Sequence, residues 1–251
     1  MALTAAASTP FWLLGSGQIA DRVGVELPVS SLMLCCPAAA AVMLVHRHDP
    51  PGGVRRLLAR VIDYRRIPHL RWYLPAVFLM PAVMAGSYVV LRLAGRQLPA
   101  LEITPAAVAA YSAMFVVAAM IEEIGWTGYA TGPLQARYGA LTAGVLLGVV
   151  WALWHVIPYR QAGHDLNWII GQCLFTVALR VILGWLSVHT GGSVLAASLC
   201  HASSNIGWAL FPHRGSHYDP AVAALIAGAV AVVLTVVSRA RMLPAHPGGR
   251  S

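Results

Sequence analysis

Residues 105–120, PAAVAAYSAMFVVAAM, run for sixteen positions without a charge. Apolar stretches of this kind recur near 5–20, 27–46, 72–93, 104–131, 141–157, 168–188, 193–211 and 221–238. A bilayer core about 30 Å thick is crossed by roughly 20 helical residues at about 1.5 Å each. The series therefore predicts an all-α fold, a polytopic transmembrane helix bundle of about eight spans forming one integral membrane domain over 1–251. Composition agrees. The chain is 58% hydrophobic and 10% charged, where soluble domains carry about a quarter charged residues. The first span is the weakest, diluted by Gly15, Ser16, Gly17 and Gln18. With no arginine ahead of it and no small-residue cleavage site, it does not read as a signal peptide.

The net charge of +8 invites a nucleic-acid reading, which the placement of the charge excludes. There is no lysine, and seven of the seventeen arginines fall within 47–71. A short basic loop between two spans is a cytoplasmic-side signal. Alternation then places both termini in the cytoplasm, and Arg239 and Arg241 after the last span agree. Within the loop, VRRLLARVIDY (54–64) has apolar residues at helical spacing, as a helix lying on the membrane surface would. The four cysteines all fall in apolar spans without metal-type pairing and read as small hydrophobes.

Polar residues within spans carry the functional signal, because an ionisable group there costs at least about 2.5 kcal/mol. They are Glu122, Glu123, His155, Arg180 and His201, joined by Asn205. His155 lies in WALWHVIPY, where Pro158 is expected to end the helix. His201 and Asn205 are four residues apart and share a helical face. Counted from the turns near 135–140 and 190–193, Glu122 and His155 lie about 20 Å in, His201 about 12 Å and Asn205 about 18 Å. Three helices thus bring four polar groups toward mid-membrane. Taken singly, each fits the bland role of hydrogen-bonding between helices, and Trp126, Trp151 and Trp154 read as packing or interfacial anchors.

Together these groups suit hydrolysis of an amide bond. A carboxylate beside an imidazole can hold and deprotonate a water. A second imidazole and an amide can donate to an oxyanion. Glu122, His155 and His201 could equally ligate a divalent metal such as zinc, gathered from separate helices since no HExxH occurs.

The segments EEIGWTGY, WALWHVIPY and HASSN resemble, in order, the EExxxR, FxxxH and HxxxN motifs of the CPBP family. These are CAAX proteases and bacteriocin-processing enzymes, also called Abi, among them the type II CAAX prenyl endopeptidases. The likeness covers about 70–210. It implies an eight-helix bundle open to the cytoplasm that cuts membrane-associated, prenylated or bacteriocin-type peptides. Glu122 then matches the water-activating glutamate and His155 its partner. His201 and Asn205 match the oxyanion residues or, in a metalloprotease view, part of a metal site. No cofactor is required by the metal-free reading.

Two positions depart from the pattern. Trp151 stands for the usual Phe, and Thr127 for the arginine of EExxxR. Thr127 lies four residues after Glu123 and shares its face, yet it cannot supply the charge. Arg180, mid-span and without an acid on its own helix, is the candidate replacement; Glu123, Thr127 and Arg180 thus form a supporting set behind the catalytic residues. Two other functions compete with the protease: a silent membrane scaffold or immunity factor, favoured by Thr127, and a proton-coupled transporter. The transporter lacks the inverted repeats and paired broken helices expected of it.

Overall fold

The structure, a computed structural model, describes residues 1–15, 28–101 and 103–242. In chain order its helices are α1 (Ala2–Leu14), α2 (Cys36–His48, entered through a 3-10 turn at Val29–Cys35), α3 (Gly53–Ala59), α4 (Tyr73–Leu93) and α5 (Pro105–Glu123). A π-helical segment, Ile124–Thr131, then leads into α6 (Gly132–Tyr138), α7 (Ala140–Gln161), α8 (Leu166–His189), α9 (Val194–Ala209), α10 (Pro220–Val237) and α11 (Arg239–Met242). The architecture is the expected all-α bundle.

Among the described residues, six helical stretches are long and apolar enough to cross a membrane: Val29–His48, Leu70–Leu93, Pro105–Tyr138, Ala140–Gln161, Leu166–His189 and Pro220–Val237. The other two of the eight expected spans are present as shorter helices. α1 has 13 residues, about 20 Å of rise, and positions 16–20 of that expected span lie outside the described residues. α9 has 16 residues and carries Ser198, His201, Ser203, Ser204 and Asn205, which makes it too polar to count as an apolar span. Its place is inside the bundle, against α4, α5 and α8.

Local sequence sets the helix starts. Thr104, Asp165, Ser193 and Asp219 each cap the helix that follows them by accepting a backbone N–H through the side chain. Pro105 and Pro220 occupy first-turn positions, where a missing N–H costs nothing. Pro158 does not end its helix as expected. It sits in the last turns of α7, which continues to Gln161; so near the end, the kink and the one lost bond to the carbonyl of Trp154 can be absorbed.

α8 is the most buried of the six spanning stretches and packs on α7, α9 and α10. The α7–α8 contact is set by Gly144 and Gly148, a small-xxx-small pair. A Cβ at Gly148 would lie 2.9 Å from the Cα of Val177, and one at Gly144 would lie 3.1 Å from the Cα of Val181. This approach carries Arg180, between those two valines, into the interior. Gly125 plays the matching part for α2, since a Cβ there would run into the carbonyl group of Pro37.

The basic loop closes one end of the bundle. The surface helix expected at 54–64 is realised over Gly53–Ala59, with Leu57 inward and Leu58 exposed. Arg60 donates to the carbonyls of Gly128 and Gly192, and Arg66 to that of Gly191 at 3.2 Å. Burial lowers the pKa of Arg60, assisted by the charge of Arg66 and opposed by Asp63. The loop thus shares one end of the bundle with the exit of the π-helical segment and with the α8–α9 turn. Of the cysteines, Cys36 and Cys200 are buried while Cys35 is exposed, and all four are free.

Candidate active site

Glu122 and Glu123 end α5, and the chain passes directly into the π-helix. A π-helical insertion widens the turn and frequently marks a functional site. Thr131 caps a carbonyl within it, donating to Trp126 O at 2.8 Å. Being neighbours on a helix, the two acids point about 100° apart. They enter different surroundings.

Glu123 is fully buried and saturated with donors. Arg180 of α8 grips it with two parallel bonds, Nη1 to Oε2 and Nη2 to Oε1, each 2.9 Å. Thr127, one turn ahead, donates its hydroxyl to Oε2. His201 of α9 approaches Oε1 through Nδ1 at 3.1 Å. A bidentate Arg–carboxylate pair fixes orientation as well as charge. The charge lost with the motif arginine is therefore present in space, delivered from another helix, and Thr127 adds a neutral bond from the motif position itself.

Glu122 is held differently. Its Oε2 accepts the indole N–H of Trp151 at 3.1 Å, the single hydrogen bond it makes among the described residues. It retains 7% exposure where Glu123 has none, so one carboxylate oxygen is left for a small molecule such as water. His155, one turn beyond Trp151 on α7, sets its Nδ1 2.9 Å from the backbone carbonyl of Trp151. A carbonyl only accepts, so Nδ1 carries the proton and a neutral ring keeps its lone pair on Nε2. The rings of Trp154 and Tyr159 flank His155, Tyr159 stacked at 5.5 Å.

Trp151 lies among all of these groups. Its ring centroid is 5.6 Å from that of His155 and 4.9 Å from that of His201, both edge-to-face. The Arg180 guanidinium lies over its face at 4.1 Å. Trp151 packs in the core, as one of its two expected roles had it, and in addition bonds an acid, which the sequence reading did not foresee. The available signal was its i, i+4 relation to His155. Asn205, half-buried, stands one turn beyond His201 on α9. Its carboxamide makes no hydrogen bond among the described residues.

The zinc alternative can be tested on the same geometry. Among the described residues no three His, Cys, Asp or Glu side chains come together as a metal-holding group. Each imidazole has Nδ1 hydrogen-bonded, that of His155 to a backbone carbonyl and that of His201 to Glu123, so Nε2 is the atom either ring would offer a ligand. Glu122, His155 and His201 each keep a donor atom uncommitted, but among the described residues they do not converge as a preformed metal centre.

Fold and site together define a multi-pass helical membrane protein with acid and imidazole groups gathered from α5, α7 and α9. Residues 104–207, which hold all three motifs, match the family model of the Rce1-like type II CAAX prenyl endopeptidases. The chain is also similar to CAAX prenyl protease 2 of Methanococcus maripaludis, 24% identical over 159 residues. That alignment takes in 59% of this chain and 57% of the archaeal protein's length. The resemblance read from the motifs is thus shared by a family model and by a relative, and both are peptidases.

Proposed function

We propose that this chain is an intramembrane endopeptidase that hydrolyses peptide bonds of membrane-associated substrates. The observation that carries the reading is the unequal treatment of two adjacent acids. Glu123 is neutralised and locked by Arg180, whereas Glu122 keeps a free oxygen close to an imidazole with an available Nε2.

Water binds between the free oxygen of Glu122 and His155 Nε2. Glu122 takes a proton from it as the oxygen attacks the scissile carbonyl carbon. The resulting oxyanion accepts a hydrogen bond from the Asn205 amide. His201 has Nδ1 directed at Glu123, so its Nε2 donates to the oxyanion only when the ring is doubly protonated; Asn205 needs no such condition. Glu122 then passes its proton to the leaving nitrogen as the C–N bond breaks, yielding a carboxylic acid and an amine.

The likeness to prenyl endopeptidases favours a prenylated peptide as substrate, with bacteriocin-type precursors as the other class within the wider resemblance. The basic loop favours a cytoplasmic position for its end of the bundle, with both termini on that side and the protein in the cell membrane. A silent scaffold or immunity factor was favoured by the missing charge at Thr127, and Arg180 removes that support. The test is incubation of purified protein in bilayers with a library of plain and prenylated membrane peptides, read by mass spectrometry. Cleavage that is absent from the Glu122→Gln variant is expected. Products of equal yield from both proteins refute the proposal.

A further inference from the structure

We infer that Trp151 is a positioning residue of the site, and that it acts through its indole N–H on Glu122. The inference rests on the protease reading above. Three contacts carry it. The N–H donates to Oε2 of Glu122 at 3.1 Å, in a setting where both partners are buried. Beneath the ring, the Arg180 guanidinium sits 4.1 Å from the centroid while gripping Glu123. The backbone carbonyl of the same residue takes His155 Nδ1 at 2.9 Å.

One residue thus holds the acid through its side chain and the imidazole through its main chain. The N–H bond fixes one oxygen of Glu122 and leaves the other directed at the space a water would occupy. Without that donor the carboxylate can rotate, because no other hydrogen bond restrains it among the described residues. It can also turn toward Arg180, the nearest charge associated with the same indole. A second ion pair there would withdraw the base from the water. The in-plane N–H holds the acid at the edge of the ring, while the guanidinium occupies its face.

A phenylalanine at 151 would keep a ring face for Arg180 and the carbonyl for His155 but would offer no donor. The N–H is therefore the part to remove. Site-specific incorporation of 3-benzothienylalanine at 151 replaces the N–H by sulfur at nearly unchanged shape. Because Glu122 acts on water, the loss should fall on kcat with KM unchanged. A fall of roughly tenfold or more is expected, the scale of one hydrogen bond to a charged group, with the thermal midpoint of the wild type retained. Trp151→Phe should lose at least as much. If the benzothienyl protein keeps kcat within about twofold of wild type, the inference is overturned; a defect confined to Trp151→Phe would make the residue a packing element. The contact has its own readout. In protein labelled with 15N at the indoles, the Trp151 resonance, identified by its loss in Trp151→Phe, should shift in Glu122→Gln, and an unmoved resonance overturns the contact. A wild-type protein that cuts no peptide defeats the protease reading, whereas the resonance still decides whether Trp151 holds Glu122.

Discussion

Removing Arg180 while keeping Glu123 leaves a carboxylate in the interior with no counter-charge. The side chains of the pair are 2% and 0% exposed, and the grip is bidentate. Breaking such a pair from one side typically costs about 3–5 kcal/mol. Arg180→Leu should fall toward the lower part of that range for the charge itself, because Thr127 and His201 still serve Glu123. The lost stacking of the guanidinium on Trp151 adds up to about 2 kcal/mol for a desolvated site. Glu123→Gln alone leaves Arg180 with a neutral amide oxygen and the face of Trp151, a smaller loss. The double variant Arg180→Leu with Glu123→Gln leaves no orphan charge, so it should recover part of the Arg180→Leu defect.

The assay is a double-mutant cycle on unfolding free energy, measured by denaturant titration in mixed micelles or by steric trapping in bilayers. A coupling of about 1–3 kcal/mol between the sites is expected, within the span seen for residues in contact. Simple addition of the two single losses would refute the ion pair. Glu123 would then be neutral and held by Thr127, and Arg180 would need another partner.

Glu122→Gln, His155→Ala and His201→Ala should each abolish peptide cleavage with expression and folding nearly intact; three variants that cut at the wild-type rate would end the protease assignment. Asn205→Ala should slow turnover by roughly ten- to a thousand-fold without abolishing it, as loss of one oxyanion donor does; an unchanged rate would reduce Asn205 to helix packing. Gly148→Ala should destabilise by about 1–3 kcal/mol, the range for overpacking, since its Cβ would meet the Val177 backbone at 2.9 Å; a neutral thermal shift would show that α7 and α8 separate freely. Chelators should leave cleavage in place, and activity lost on chelation and restored by zinc would overturn the metal-free reading.

The spans were legible because lipid enforces a simple rule, length of apolar helix, and six stretches satisfy it outright. The rule fails where a helix is shielded from lipid by its neighbours. α9 is bounded by α4, α5 and α8, so it tolerates serines, His201 and Asn205 at a length of 16 residues. Hydropathy sees the polarity and the brevity without the shielding. The π-helical turn at Ile124–Thr131 was likewise hidden, because Gly125 and Gly128 are compatible with several backbones. What fixes the local path includes the close approach of Pro37, a contact across 88 positions (125 less 37).

The candidate site was legible to the extent that charge demands compensation. A carboxylate and a guanidinium, each without a partner on its own helix, point to one another before any contact is known, and Glu123 and Arg180 meet as that logic requires. Neutral donors issue no such demand. An indole N–H at the membrane level can be satisfied by a serine, as Trp154 is by Ser8, or left without a partner among the described residues, as Trp126 is. A place four residues before His155 sets Trp151 near the site, but nothing in the sequence shows that its N–H faces an acid. Yet this neutral bond is what separates the two glutamates chemically. Three donors around Glu123 suit a charge that stays in place, and one donor on Glu122 suits a charge that must accept a proton and release it. The pair of adjacent acids thus makes physical sense at that depth: one anchors three helices by ion pair and hydrogen bond, and the other, with a single donor, keeps an oxygen for the water chemistry proposed for it.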